Sequence, residues 1–207
     1  MNLKEHVLEE LELQEFHVRE ALQCLLHIIL FVRAPATLKP REASSHCDNF
    51  NMSFARCGVA DIDKSVDNAI ETFWQCLSPA GPDLSKGWIT VSFFMTREKK
   101  SMFGLLLKEE RVVWEQWVIP VLVNASLRSV ADDQASALAQ RRLQDNADAV
   151  LQARMLDVLN YANSCIDHVP PVGTTYKFEI TCAQKGLERR DAAVYPRMMQ
   201  APPALNL

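Results

Sequence analysis

Leu11 and Leu13 alternate with Glu10 and Glu12, the two-residue period of a strand with one buried face. From His17 the period lengthens. Val18, Ala21, Leu22, Leu25, Ile28, Ile29 and Val32 recur at three- and four-residue steps, which predicts a strongly apolar helix ending near Arg33. Pro35 and Pro40 close it and open a polar loop through Asn49. Alternation returns at Phe50, Met52 and Phe54, predicting a second strand. Beyond Gly58, Asp61 or Asp63 is placed to cap a second helix, whose inner face is Val66, Ile70, Phe73 and Leu77. The stretch S-P-A-G-P-D at 78–83 stops it.

Trp88 to Thr96 is rich in β-branched and aromatic residues and predicts a strand. A second strand covers R-V-V-W-E-Q-W-V-I-P-V-L-V. Strict alternation there would put Trp114 on one face and Glu115 and Trp117 on the other. Pro120 has no N–H for a ladder, so a bulge or an edge is expected near it. Asp132 to Asn163 contains no Pro or Gly and predicts a long third helix. Its first half is polar, and Val150, Leu151, Met155, Val158, Leu159 and Ala162 mark its second half as buried. After D-H-V-P-P-V-G, the alternation of Tyr176, Phe178 and Ile180 predicts a last strand. The order β-α-β-α-β-β-α-β is that of an α+β domain over residues 1–183, with three helices covering a mostly antiparallel sheet. Residues 184–207 show no sustained period and are expected to form a mobile tail.

The turn between the two central strands breaks the usual rule that loops are polar. Residues 99–110 read K-K-S-M-F-G-L-L-L-K-E-E, with Met102, Phe103 and Leu105 to Leu107 between charged clusters.

Composition narrows the function classes. A 207-residue chain with 48% hydrophobic and 23% charged residues can bury a full core without staples. A net charge of −4 argues against nucleic-acid binding. The acidic start M-N-L-K-E-H-V-L-E-E is unlike a signal peptide, and no apolar run reaches the length of a membrane span. Six scattered cysteines without an export signal read as reduced thiols in a cytoplasmic protein.

The chemistry-bearing motifs are sparse. No Gly-rich phosphate loop, G-x-S-x-G elbow or H-E-x-x-H is present. C-x-x-H occurs at Cys24/His27 and at Cys165/His168, a set that could in principle hold zinc. The plainer reading makes Cys24 a small core hydrophobe, His27 a satisfied core histidine and His168 an ordinary neighbour of the Pro-Pro turn, so no metal and no cofactor are expected. Cys47 beside His46 and Cys57 after Arg56 lack the surroundings of an activated thiol. Glu115, within W-E-Q-W, is expected to be hydrogen-bonded and structural rather than a general acid. No catalytic residue and no enzyme are expected.

Several stretches, in their order and spacing, resemble the autophagy-related protein 101 family. These are V-L-E-E-L-E-L with the helix V-R-E-A-L-Q-C-L-L-H-I-I-L-F-V-R, the strand W-E-Q-W-V-I, and D-H-V-P-P followed by Y-K-F-E-I. The resemblance implies a HORMA-like single domain. It also implies a non-enzymatic scaffold of the autophagy-initiation kinase complex, which binds and stabilises the HORMA domain of autophagy-related protein 13. It places the protein in the cytoplasm and at the phagophore assembly site when autophagy is induced.

The apolar turn gains a meaning from the same resemblance, because family members that recruit downstream factors carry an exposed Trp-Phe finger there. Here Phe103 matches and Met102 stands where the Trp would be, so Met102, Phe103 and Leu105 are the expected finger. HORMA domains generally pair through the long third helix, which makes Arg141, Arg142 and Gln144 candidate contacts. A HORMA-type adaptor that captures a peptide by strand addition at the sheet edge is the alternative.

Overall fold

The computed structural model describes residues 3–34, 43–100, 107–125, 134–171 and 173–183. In chain order its elements are β1 (Lys4–Val7), β2 (Leu11–Gln14), α1 (Glu15–Val32), β3 (Ala43–His46), β4 (Ser53–Arg56), α2 (Ala60–Gln75), β5 (Ser78–Gly81), β6 (Leu84–Lys100), β7 (Leu107–Asn124), α3 (Gln134–Ser164) and β8 (Lys177–Ala183). The sheet is built around the β6–β7 hairpin, whose pairing runs from Leu84↔Asn124 to Lys100↔Leu107. On its far side β7 pairs in parallel with β1 and β2, laid end to end. On the other side β6 pairs antiparallel with β5 and β8, also end to end. The result is a mixed α+β architecture with a mostly antiparallel sheet and three helices, as expected of a HORMA-like domain.

The alternation along β7 changes phase, and this corrects the expected placement of its tryptophans. Val112 and Trp114 are buried before the change, and Trp117, Ile119, Val121 and Val123 after it. Phe93 pairs with Glu115 while Phe94 pairs with Val113, so Trp114 is the extra residue of a β-bulge. A bulge turns two consecutive side chains toward one side of the sheet. Trp114, Glu115 and Trp117 are therefore all fully buried, instead of being split between two faces. Pro120 is not the bulge. It sits opposite Trp88, between the stretch of β7 that pairs with β1 (to Val118) and the stretch that pairs with β2 (from Val121). Its missing N–H falls in a gap between two ladders.

The helices cover the face of the sheet that carries these side chains. α1 is buried on nearly all sides, from His17 and Val18 to Ile29 and Leu30, because it packs against both other helices and against β4, β2 and β7. α2 lies over β6 and β8. Gly87 permits its close approach, since a Cβ there would stand 2.8 Å from the Phe73 ring.

Several short elements differ from the sequence expectation. β1 and β3 are not foreseen by any period. Phe50 lies in a bend rather than a strand, and the strand runs Ser53–Arg56 in a separate two-stranded sheet with β3. α2 begins after Val59 with no side-chain cap, and Asp61 and Asp63 fall inside its first turn, where their charge favours the helix N-terminus. The stretch 78–83 does more than stop α2, because β5 turns through Pro82 and Asp83 (φ 55°) to pair with the start of β6.

His27 is buried but not satisfied. Its Nδ1 has no partner among the described residues, and its Nε2 is 3.7 Å from Asp63 Oδ1. Burial, aided by the charge of Arg56, lowers its pKa from 6.5 to about 4 against the opposing pull of Asp63 and Asp67. The unfolded chain therefore takes up this proton first as pH falls. Stability contributed by a neutral His27 should be intact above pH 6.5 and lost progressively down to about 4, by roughly 3 kcal/mol. Urea unfolding of the wild type and of His27→Phe, at about pH 7 and about pH 4.5, should show a steeper acid loss for the wild type. Equal losses would contradict this.

Candidate functional site

Glu115 is the centre of a buried polar knot that ties the sheet to two helix ends. The bulge in β7 aims it inward, where its side chain is fully inaccessible. Arg33, just past the end of α1, donates from Nε to Glu115 Oε2 at 2.9 Å. The same guanidinium donates to the carbonyls of Ala162 (3.0 Å) and Cys165 (3.4 Å). It thus satisfies orphan carbonyls at the C-terminus of α3, where a cation is also favoured by the helix dipole. Tyr176 donates its hydroxyl to the Ala34 carbonyl at 3.0 Å. On the other carboxylate oxygen, His6 Nε2 stands 3.1 Å and His168 Nε2 3.5 Å from Oε1. Aromatic rings wall the knot, with Trp117 4.3 Å and Tyr161 5.5 Å from the His6 ring and Trp114 5.8 Å from the His168 ring.

Burial by itself would raise the Glu115 pKa, but the adjoining His6 and Arg33 side chains and the charges of Arg33 and His168 outweigh it and hold the carboxyl below its usual range. His168 is lowered, chiefly by burial. The knot fits the structural role expected for Glu115. His168 is a correction, because it reaches the carboxylate instead of standing idle beside the Pro-Pro turn. The C-x-x-H quartet is not assembled, since His27 faces Asp63 and Phe54 while His168 faces Glu115. The thiol pKa values of Cys24, Cys47, Cys57 and Cys182 are raised, so these thiols are not activated. Burial pushes both Cys47 and Cys57 up to about 11 and Cys182 to about 12.

The second feature is the outward face of α3. Arg141, Arg142, Asp145, Ala149, Gln152, Leu156, Leu159, Asn160 and Asn163 are exposed and recur at three- to four-residue steps, forming one stripe along the helix. Leu151, Val158 and Ala162 face the core. Leu159, expected to be buried, is 40% exposed, because it lies a further 100° round the helix from Val158. Leu156, not singled out by the sequence, is 53% exposed. Arg141 and Arg142 share this stripe. Gln144 points inward instead. It meets His17 Nε2 at 3.0 Å and donates to the Asn49 carbonyl at 2.6 Å and to Asp148 Oδ1 at 3.0 Å, joining α3 to α1.

The third feature is the hairpin tip. β6 and β7 stay paired as far as Lys100 and Leu107, and Met102, Phe103 and Leu105 lie between them, outside the described residues. The tail 184–207 also lies outside them. No helix among the described residues is long and apolar enough to cross a membrane.

Comparison with known proteins places the chain in a family. Residues 10–176 match the profile of the family described as Autophagy-related protein 101. Autophagy-related protein 101 of Arabidopsis thaliana is 29% identical over 194 residues, 87% of this chain and 87% of its own. The protein of that name from Xenopus tropicalis is 23% identical over 154 residues, 69% of this chain and 66% of its own.

Proposed function

This chain belongs to the Autophagy-related protein 101 family, and from that premise we propose that it is a non-enzymatic scaffold of the autophagy-initiation kinase complex that binds and stabilises the HORMA domain of autophagy-related protein 13. The observation that carries the pairing is the outward stripe of α3. A helix of 31 residues is about 46 Å long and presents Leu156 and Leu159 to solvent on the same side as Arg141 and Arg142. Two half-exposed leucines bordered by Gln152, Asn160 and Asn163, with Arg141 and Arg142 further along the same stripe, have the character of an interface centre with a polar rim. The buried knot serves this role indirectly, by fixing the C-terminal end of α3 to β7 and α1. The hairpin tip is the proposed recruiting element, with Met102, Phe103 and Leu105 docking a downstream autophagy factor. The protein works in the cytoplasm and at the phagophore assembly site.

A second reading, peptide capture by strand addition, draws on a groove of about 740 Å³ between α2 and β8, lined among others by Ile62, Ala69, Phe178 and Ile180. It would run along the sheet edge at β8 and leave α3 uncovered.

The Leu156→Asp/Leu159→Asp double variant separates the two. Both positions are exposed, so the chain should fold with little loss of stability. Burying two aspartates in an apolar contact should weaken binding to the partner HORMA domain by about a hundredfold or more. Isothermal titration that finds unchanged affinity would remove α3 from the interface.

A further inference from the structure

The polar atoms at the centre of the buried knot do not close into hydrogen bonds with one another. His6 Nε2, Glu115 Oε1 and His168 Nε2 are all sealed from solvent, and none has a hydrogen-bond partner among the described residues. The 3.1 Å and 3.5 Å approaches to Oε1 are ion-pair contacts that do not meet hydrogen-bond geometry. All three atoms lie within 4.8 Å of one another. Buried polar atoms left this way cost stability unless something satisfies them.

A divalent cation would do so. Zinc sits about 2.0–2.2 Å from imidazole nitrogen and carboxylate oxygen, which places neighbouring ligand atoms of a tetrahedron about 3.3 Å apart. The two distances from Glu115 Oε1 bracket that spacing. Arg33 occupies Oε2 at 2.9 Å, so the carboxylate is left to bind through Oε1 alone. Its orientation is fixed from behind, as outer-shell partners of metal ligands commonly do. The guanidinium charge stays on the far oxygen, and its remaining reach is spent on the Ala162 and Cys165 carbonyls.

We propose that His6, Glu115 and His168 form a three-ligand site for a divalent cation of the zinc class, pinning β1 and the turn after α3 to the bulge of β7. The ligands come from three separate parts of the chain, so binding would lock the N-terminal strand and the C-terminal end of α3 onto the sheet. Its role is structural, because His6 and Glu115 are buried, His168 is part-buried with its Nε2 inaccessible, and Trp114, Trp117 and Tyr161 wall the group.

The test uses the full chain, purified without a metal-affinity tag or chelator. Mass spectrometry of the metal content should find about one zinc-class ion per chain. Titration of chelator-stripped wild type with cobalt(II) should give the visible ligand-field absorption of a four- or five-coordinate site, saturating at one equivalent. Changing even outer-shell partners typically costs 10–100-fold in metal affinity, so His6→Gln and His168→Ala should each weaken cobalt binding by at least about tenfold. The wild-type titration needs no variant to fold. Absence of both bound metal and the cobalt spectrum in the wild type would overturn the site, leaving an ion-pair knot only. So would a metal that binds both variants as tightly as it binds the wild type.

Discussion

Replacing Glu115 with alanine is expected to destabilise the folded chain by about 3–5 kcal/mol, the usual cost of removing one partner of a buried ion pair. The effect comes from what is left behind. Arg33 is 7% exposed and would keep its charge with the carboxylate that faces its Nε removed. The two histidine nitrogens would also lose the charge they now face at 3.1 and 3.5 Å. Urea unfolding measures the loss, and a change below about 1 kcal/mol would contradict the knot's role. Removing both partners tests the cause. Arg33→Met combined with Glu115→Ala should recover part of the loss, because no orphaned charge remains. Recovery will be incomplete, since Arg33 also holds the Ala162 and Cys165 carbonyls.

Trp114→Ala should cost a similar amount, about 3–5 kcal/mol for emptying a fully buried aromatic site. Trp114 is wholly inaccessible, packing edge-on against Tyr176 at 5.1 Å and at a tilt against Phe93 at 5.6 Å. A smaller aromatic separates shape from size. The indole Nε1 of Trp114 is buried without a partner among the described residues, so Trp114→Phe gives up packing area but also removes an unsatisfied N–H. Trp114→Phe should therefore cost much less than Trp114→Ala. Thermal unfolding that finds the two variants equally damaged would show that the bulge does not place this side chain in the core as described.

The sequence makes the large elements legible and hides the short and the distant ones. α1 and the β6–β7 hairpin announce themselves because 18 and 17 residues give room for a period to repeat. β1, β3 and β5 have four residues each and, unlike the equally short β2 with its alternating Leu11 and Leu13, no readable pattern of their own, so what makes them strands is the partner they pair with. The bulge at Trp114 is invisible for a similar reason. It is a property of the register between two strands, and W-E-Q-W read alone implies strict alternation. The knot is partly legible, in that a carboxylate between two tryptophans suggests a buried, bonded group. Its partners are not, because Arg33 lies 82 residues from Glu115 in sequence and only the fold brings them together. On α3 the apolar positions are easily read, but their outward direction is not. Leu159 follows Val158 directly, and only the packing against α1 shows which of the two faces the core.

The most direct test of the central claim is the mass of the purified species when this chain is co-expressed with the HORMA domain of autophagy-related protein 13 from the same source. Size-exclusion chromatography with light scattering should show one peak with the mass of one copy of each chain. Two separate peaks, with this chain folded and running alone at its own 23.4 kDa, would contradict the pairing.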